Sequence, residues 1–85
     1  MKVKILFFAS LREQLGTAAE EVEIPNSAST VAGLRLHLMK RGGAWQDVLA
    51  DTKVVRVAVN QDLAASGARL NNGDEVAFFP PVTGG

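Results

Sequence analysis

The sequence predicts an α+β fold in which one mixed sheet of four to five strands packs on one main helix. Three observations predict it. Residues 2–8, 21–24, 54–59 and 75–79 alternate apolar and polar positions, or run β-branched, at the two-residue period of strands. One stretch repeats Val31, Leu34 and Leu38 at helical spacing. The chain has 85 residues, 47% apolar and 21% charged, which is enough for a single folded domain without metal or disulfide staples.

In residues 2–8, Val3, Ile5 and Phe7 share one face while Lys2 and Lys4 share the other, which turns apolar at its end with Leu6 and Phe8. Ser10 followed three residues later by Glu13 has the form of a capping box, so a short helix is predicted with Ser10 as N-cap. Leu11 and Leu15 point inward from it and Gly16 ends it. Glu21-Val22-Glu23-Ile24 predicts a second strand, halted by Pro25. Ser29 or Thr30 opens the main helix, with Arg35 and Lys40 at the edges of its buried stripe or outside it, and Gly42-Gly43 stops it. Trp45, Val48 and Leu49 fall on one face of a further short helix.

Residues 54–59 are rich in valine and predict a strand, turned back by Asn60-Gln61-Asp62. Residues 63–70 fit no element by periodicity. Asn71-Asn72-Gly73-Asp74 reads as a turn with Gly73 at positive φ. The last strand sends Val76 and Phe78 to one face and Ala77 and Phe79 to the other. This order of strands and helices is that of a ubiquitin-like β-grasp, domain 1–79, followed by an extended tail, 80–85.

Nine basic residues balance nine acidic ones, so no excess field draws nucleic acid or an anionic membrane. No apolar run reaches the roughly 18 residues of a spanning helix, and no signal-peptide pattern opens the chain, so a cytoplasmic location is expected. There is no cysteine, which excludes disulfides, thiolate metal sites and a side-chain thiol as sulfur or acyl carrier. His37 lies off the buried stripe and reads as a partly exposed polar residue before it reads as a catalytic one. Asp47 and Asp51, four residues apart, fit a solvated helix face better than a carboxylate pair, and Asp74-Glu75 lacks the spacing of a calcium loop. No metal site or bound cofactor is expected.

The best chemical group is at the end. Val82-Thr83-Gly84-Gly85 follows the stiff Pro80-Pro81 pair, and Gly85 is expected to carry the free main-chain carboxylate. Without a Cβ, Gly84 and Gly85 can pass through a channel closed to other residues. Six extended residues reach about 20 Å. The bland alternative is a frayed end. Phe8 and Phe79 fall on the outer face of neighbouring central strands, with Leu63 as a candidate third member and with Arg12 and Lys4, otherwise ordinary surface charges, as a candidate polar rim. An exposed aromatic cluster suits a protein partner; the alternative is that the 63–70 loop covers it.

These residues together resemble the small subunit of molybdopterin synthase, the MoaD family of sulfur carriers. The resemblance spans nearly the whole chain. It rests on Val3-Lys4-Ile5-Leu6-Phe7-Phe8-Ala9 with Leu11-Arg12-Glu13, on Val57-Ala58-Val59-Asn60-Gln61, and above all on Asn72-Gly73-Asp74-Glu75-Val76-Ala77-Phe78-Phe79-Pro80-Pro81-Val82-Thr83-Gly84-Gly85. It implies that an E1-like adenylyltransferase uses ATP to adenylate Gly85, and that a sulfurtransferase or cysteine desulfurase supplies the sulfur of a thiocarboxylate there. It further implies that this sulfur attacks cyclic pyranopterin monophosphate inside the large subunit of a heterotetramer. The chain would then be a non-catalytic, sulfur-donating subunit, with the catalytic side chains on the large subunit. Phe8, Leu63 and Phe79 would be its contact surface, and Pro80, Pro81, Val82, Thr83, Gly84 and Gly85 its inserting tail. The alternatives are a ubiquitin-like modifier or a carrier for another pathway such as thiamine synthesis or tRNA thiolation, and a plain interaction domain with an inert tail.

Overall fold

The computed structural model describes residues 1–81; the expectations for Val82, Thr83, Gly84 and Gly85 lie outside the described residues. Five strands, β1 (Lys2–Phe7), β2 (Ala19–Glu23), β3 (Arg56–Val59), β4 (Asp62–Leu63) and β5 (Glu75–Phe79), form one sheet in the order β2-β1-β5-β3-β4. The central pair, β1 and β5, is parallel and the other pairings are antiparallel, so the sheet is mixed as expected. Three helices accompany it: α1 (Ala9–Leu15), α2 (Val31–Met39) and α3 (Ala44–Leu49), with a 3-10 turn at Asn26–Ala28. This is the β-grasp arrangement.

Alternation decides which side becomes core. Val3, Ile5 and Phe7 of β1, Val76 and Phe78 of β5 and Val57 of β3 face α2 and are buried with Val31, Leu34 and Leu38. Phe7 stacks on Phe78 at 5.9 Å between centroids and meets the edge of Trp45 at 5.4 Å. Each such fully buried side chain contributes roughly 1.5–3 kcal/mol by leaving water. Trp45 in turn lies under Arg41, whose guanidinium sits 4.5 Å from the ring centroid and pairs with Glu20 of β2. The hydrogen bond from Arg41 to Glu20, with the charge of that carboxylate, raises the arginine above its ordinary pKa.

The first orphan N–H groups of α2 are satisfied from two directions. Thr30 Oγ1 accepts from the Gly33 N–H at 3.0 Å, the cap its sequence position predicts. The Ala68 and Ser66 carbonyls accept from the N–H groups of Val31 and Ala32 at 3.0 and 2.8 Å. The 63–70 stretch, unassignable by periodicity, thus contributes β4 at its start and then an irregular loop that closes the start of a helix. Gly33 is required by contact: a Cβ there would stand 2.8 Å from Ala28 Cα.

Two expectations are corrected. The Ser10–Glu13 capping box does not form: α1 begins at Ala9, Phe8 occupies the cap position, and no side chain caps it. The Phe8 N–H still bonds the Phe78 carbonyl at 3.1 Å, while its own carbonyl already accepts from Leu11 and Arg12. Strand therefore passes to helix with no residues left over for an extended Ser10, and Ala9 takes the corner at φ 53°. The strand predicted over 54–59 is regular only from Arg56, which pairs with Phe79. The next residue on β5's side is Pro80, which brings no N–H to continue the ladder.

Candidate functional site

Among the described residues the opposite side of the sheet carries no helix, and the strand register lays its residues out in rows. Lys4 lies beside Glu21 on one side and Glu75 on the other, a charged row. The next row is apolar from edge to edge: Ala19, Leu6, Ala77, Ala58 and Leu63. Beyond it, Phe79 pairs with Arg56, and Phe8 stands one register step past the Phe7–Phe78 pair, beside Phe79. Phe7 and Phe78 point into the core, so Phe8 and Phe79 point away from it.

The structure therefore brings Phe8 and Phe79 together and places Leu63 on the same face, across Ala58 and Ala77. Phe8 is 45% exposed and Leu63 70%, while Phe79 is half-buried. The alternative in which the 63–70 loop covers these rings is not what the chain does. That loop turns to the helix side, where its carbonyls cap α2 and Leu70 enters the core. Arg12 is exposed on α1 and begins one turn after Phe8, to whose carbonyl its own N–H points at 3.5 Å. Pro80 and Pro81 leave the sheet half-buried, and Pro80 lines a depression together with Ser10, Val48, Val54 and Val55. Phe79 is the last residue of β5, and Pro80 follows it directly.

The sequence reasoning did not single out Ala58, Ala77 and Arg56 as site residues. Ala58 and Ala77 form the flat floor between the large side chains, and Arg56 adds a cation beside Phe79. Their signal was the same alternation that located Phe79, but small residues carry no hydrophobic weight of their own. The Asn60-Gln61 and Asn72-Gly73-Asp74 strings have a structural role. Asn60 Nδ2 donates to Asp74 Oδ1 at 3.0 Å and Asn60 Oδ1 accepts from the Glu75 N–H at 3.0 Å. Asn72 Oδ1 accepts from the Lys2 N–H at 2.8 Å. These bonds hold the starts of β1 and β5 in register, which sets where Phe8 and Phe79 emerge.

His37 is half-buried on α2 and Asp47 and Asp51 are exposed. Among the described residues no three histidine, aspartate or glutamate side chains gather as a metal site. Among the same residues no helix is long and apolar enough to cross a membrane. The site can offer area and shape to another protein.

Comparison with known proteins gives a consistent result. A profile of the ThiS family matches residues 5–85. The chain is 48% identical over 83 residues to the molybdopterin synthase sulfur carrier subunit of Escherichia coli K12, covering 98% of this chain and 99% of that protein. It is 41% identical over 83 residues to the Haemophilus influenzae protein of the same name, with the same coverage. Among solved structures, SAMP1 of Haloferax volcanii superposes with a TM-score of 0.80 at 30% identity over the full length of both chains.

Proposed function

The chain belongs to the ThiS family, and from that premise we propose that it is the sulfur carrier subunit of a molybdopterin synthase. The observation that carries this reading is the full-length identity of 48% to a protein of that function. The geometry supports it, because β5 presents Phe79 on the bare face and then runs directly into Pro80-Pro81. A partner that docks on the face receives the tail beside it.

A carboxylate is a poor electrophile, so the Gly85 carboxylate first needs activation. An E1-like adenylyltransferase transfers AMP from ATP to a Gly85 oxygen and releases pyrophosphate. The outer sulfur of a persulfide donor, loaded by a cysteine desulfurase or sulfurtransferase, attacks the acyl-adenylate and expels AMP; a thiol then cleaves the resulting acyl disulfide, becoming oxidised to a disulfide itself and freeing the thiocarboxylate. In the large subunit this sulfur is the nucleophile toward cyclic pyranopterin monophosphate, and a second loaded carrier completes the dithiolene. This chain supplies docking, reach and the reacting terminus, in the cytoplasm. ATP is consumed by the partner.

Mass spectrometry after co-expression with the activating enzyme tests the reading. Exchange of one carboxylate oxygen for sulfur adds about 16 Da at Gly85, and the loaded protein with the large subunit and the pterin precursor yields molybdopterin. The likeness to SAMP1 of Haloferax volcanii, which is also named small archaeal modifier protein 1, supports a second reading in which Gly85 forms isopeptide bonds with lysines. Lysine conjugates without a thiocarboxylate would select it over the first.

A further inference from the structure

Exposed apolar surface gathers at one more place. Among the described residues the large exposed apolar side chains are Phe8, Leu36, Val54 and Leu63. Phe8 belongs to the bare sheet face. The other three, 52%, 69% and 70% exposed, all border one groove of about 680 Å³ between α2 and the β3–β4 edge of the sheet. Single exposed apolar residues are ordinary, but three converging on one concavity are a patch.

The groove has a backbone wall as well. The Val57 carbonyl accepts the Ala64 N–H at 2.9 Å, and there the chain of β4 leaves the edge of β3. Val55, two residues earlier, makes no backbone hydrogen bond among the described residues and lines the groove. An edge of this kind accepts an added strand. Asp51, Arg35 and Arg56 are the charged residues of the rim, and the two cations are unequal in availability. The Arg35 guanidinium is spent on the carbonyls of Leu49, Ala50 and Lys53, whereas Arg56 is exposed and has no ion pair among the described residues. Arg56 and Leu63 belong to both surfaces, since they also stand beside Phe79 and Ala58 on the sheet face. The two apolar areas are therefore continuous around the β4 edge.

We propose that the groove receives an extended segment of the same partner that docks on the sheet face. That segment adds a strand beside Val55, places apolar side chains at alternate positions between Leu36, Val54 and Leu63, and sets a carboxylate against Arg56. The inference rests on the docking reading above and deepens it, giving the carrier a second hold that wraps its edge.

Calorimetric titration of the full chain with the molybdopterin synthase large subunit of the same organism tests it. Leu36→Asp and Val54→Asp are each expected to weaken binding about tenfold or more, while the melting temperature stays near that of the parent. Hydrogen exchange at the Val55 amide is expected to slow in the complex. Unchanged affinity in both variants, or equal Val55 exchange in the free and bound chain, overturns the proposal. Phe79→Asp separates the two readings. If it abolishes binding while the groove variants bind like the parent, the groove alone is refuted; if the parent itself does not bind, the docking reading falls and this one with it.

Discussion

Arg35 holds together a stretch of chain that has little else to fix it. Its Nε donates to the Leu49 carbonyl at 2.6 Å, and one terminal nitrogen donates to the carbonyls of Ala50 and Lys53 at 2.8 and 2.9 Å. These carbonyls belong to the end of α3 and the connection to β3, and the 53–55 segment of that connection borders the depression beside Pro80. A hydrogen bond to a charged group is worth about 1.5–3 kcal/mol net when shielded from water. Arg35 is only half-buried, so water replaces part of each bond and we take well under the full sum, about 2 kcal/mol for Arg35→Met. For a domain of this size that corresponds to a fall of about 8–16 °C in Tm. Arg35→Lys restores the charge but not the fork, and is expected to recover less than half. Urea unfolding with an unchanged slope, read beside thermal melts, makes the measurement. A loss below about 0.5 kcal/mol for Arg35→Met, the range of an ordinary surface change, would refute the reasoning.

Other outcomes follow from single sites. Gly33→Ala gains about 1 kcal/mol of helix propensity but drives a Cβ against the Ala28 backbone, so a net loss of about 1 kcal/mol is expected in denaturant titration; a stabilised variant would show that the 3-10 turn yields freely. Ala9→Gly removes the cost of a left-handed alanine at φ 53° and should stabilise by about 0.5–1 kcal/mol after the entropy of the unfolded glycine is counted. Gly84→Leu, or deletion of Gly85, is expected to abolish sulfur transfer with Tm unchanged; an unfolded variant would instead make the tail structural. Phe79→Asp is expected to weaken partner binding by more than it lowers stability, and intact binding with a large stability loss would assign that ring to the core.

How much of this was legible from the residues differs by feature. Strand alternation in 2–8 and 75–79 located the inner and outer faces, because the two-residue period follows from the pleat itself and needs no partner. The main helix was legible for the same reason, since Val31, Leu34 and Leu38 record a helical face directly, and Thr30 caps it through a bond only three residues long. From these and the parallel pairing of β1 with β5, the nearness of Phe8 and Phe79 followed. The start of α1 was misread because a capping box is a local option, and the hydrogen bond from Phe8 to the distant Phe78 carbonyl overrode it.

By itself, then, the sequence determined the main strands, the main helix and their inward faces, all properties of neighbours along the chain. Tertiary structure alone decided the rest. Arg35 finds its carbonyls 14 to 18 residues away, and backbone acceptors leave no mark in side-chain pattern. The 63–70 loop acquires its role only where it meets the start of α2, and Leu36, Val54 and Leu63 become one groove only when helix, connection and edge strand are brought together. Contacts between segments far apart in sequence depend on closure of the whole fold, and no local period encodes them.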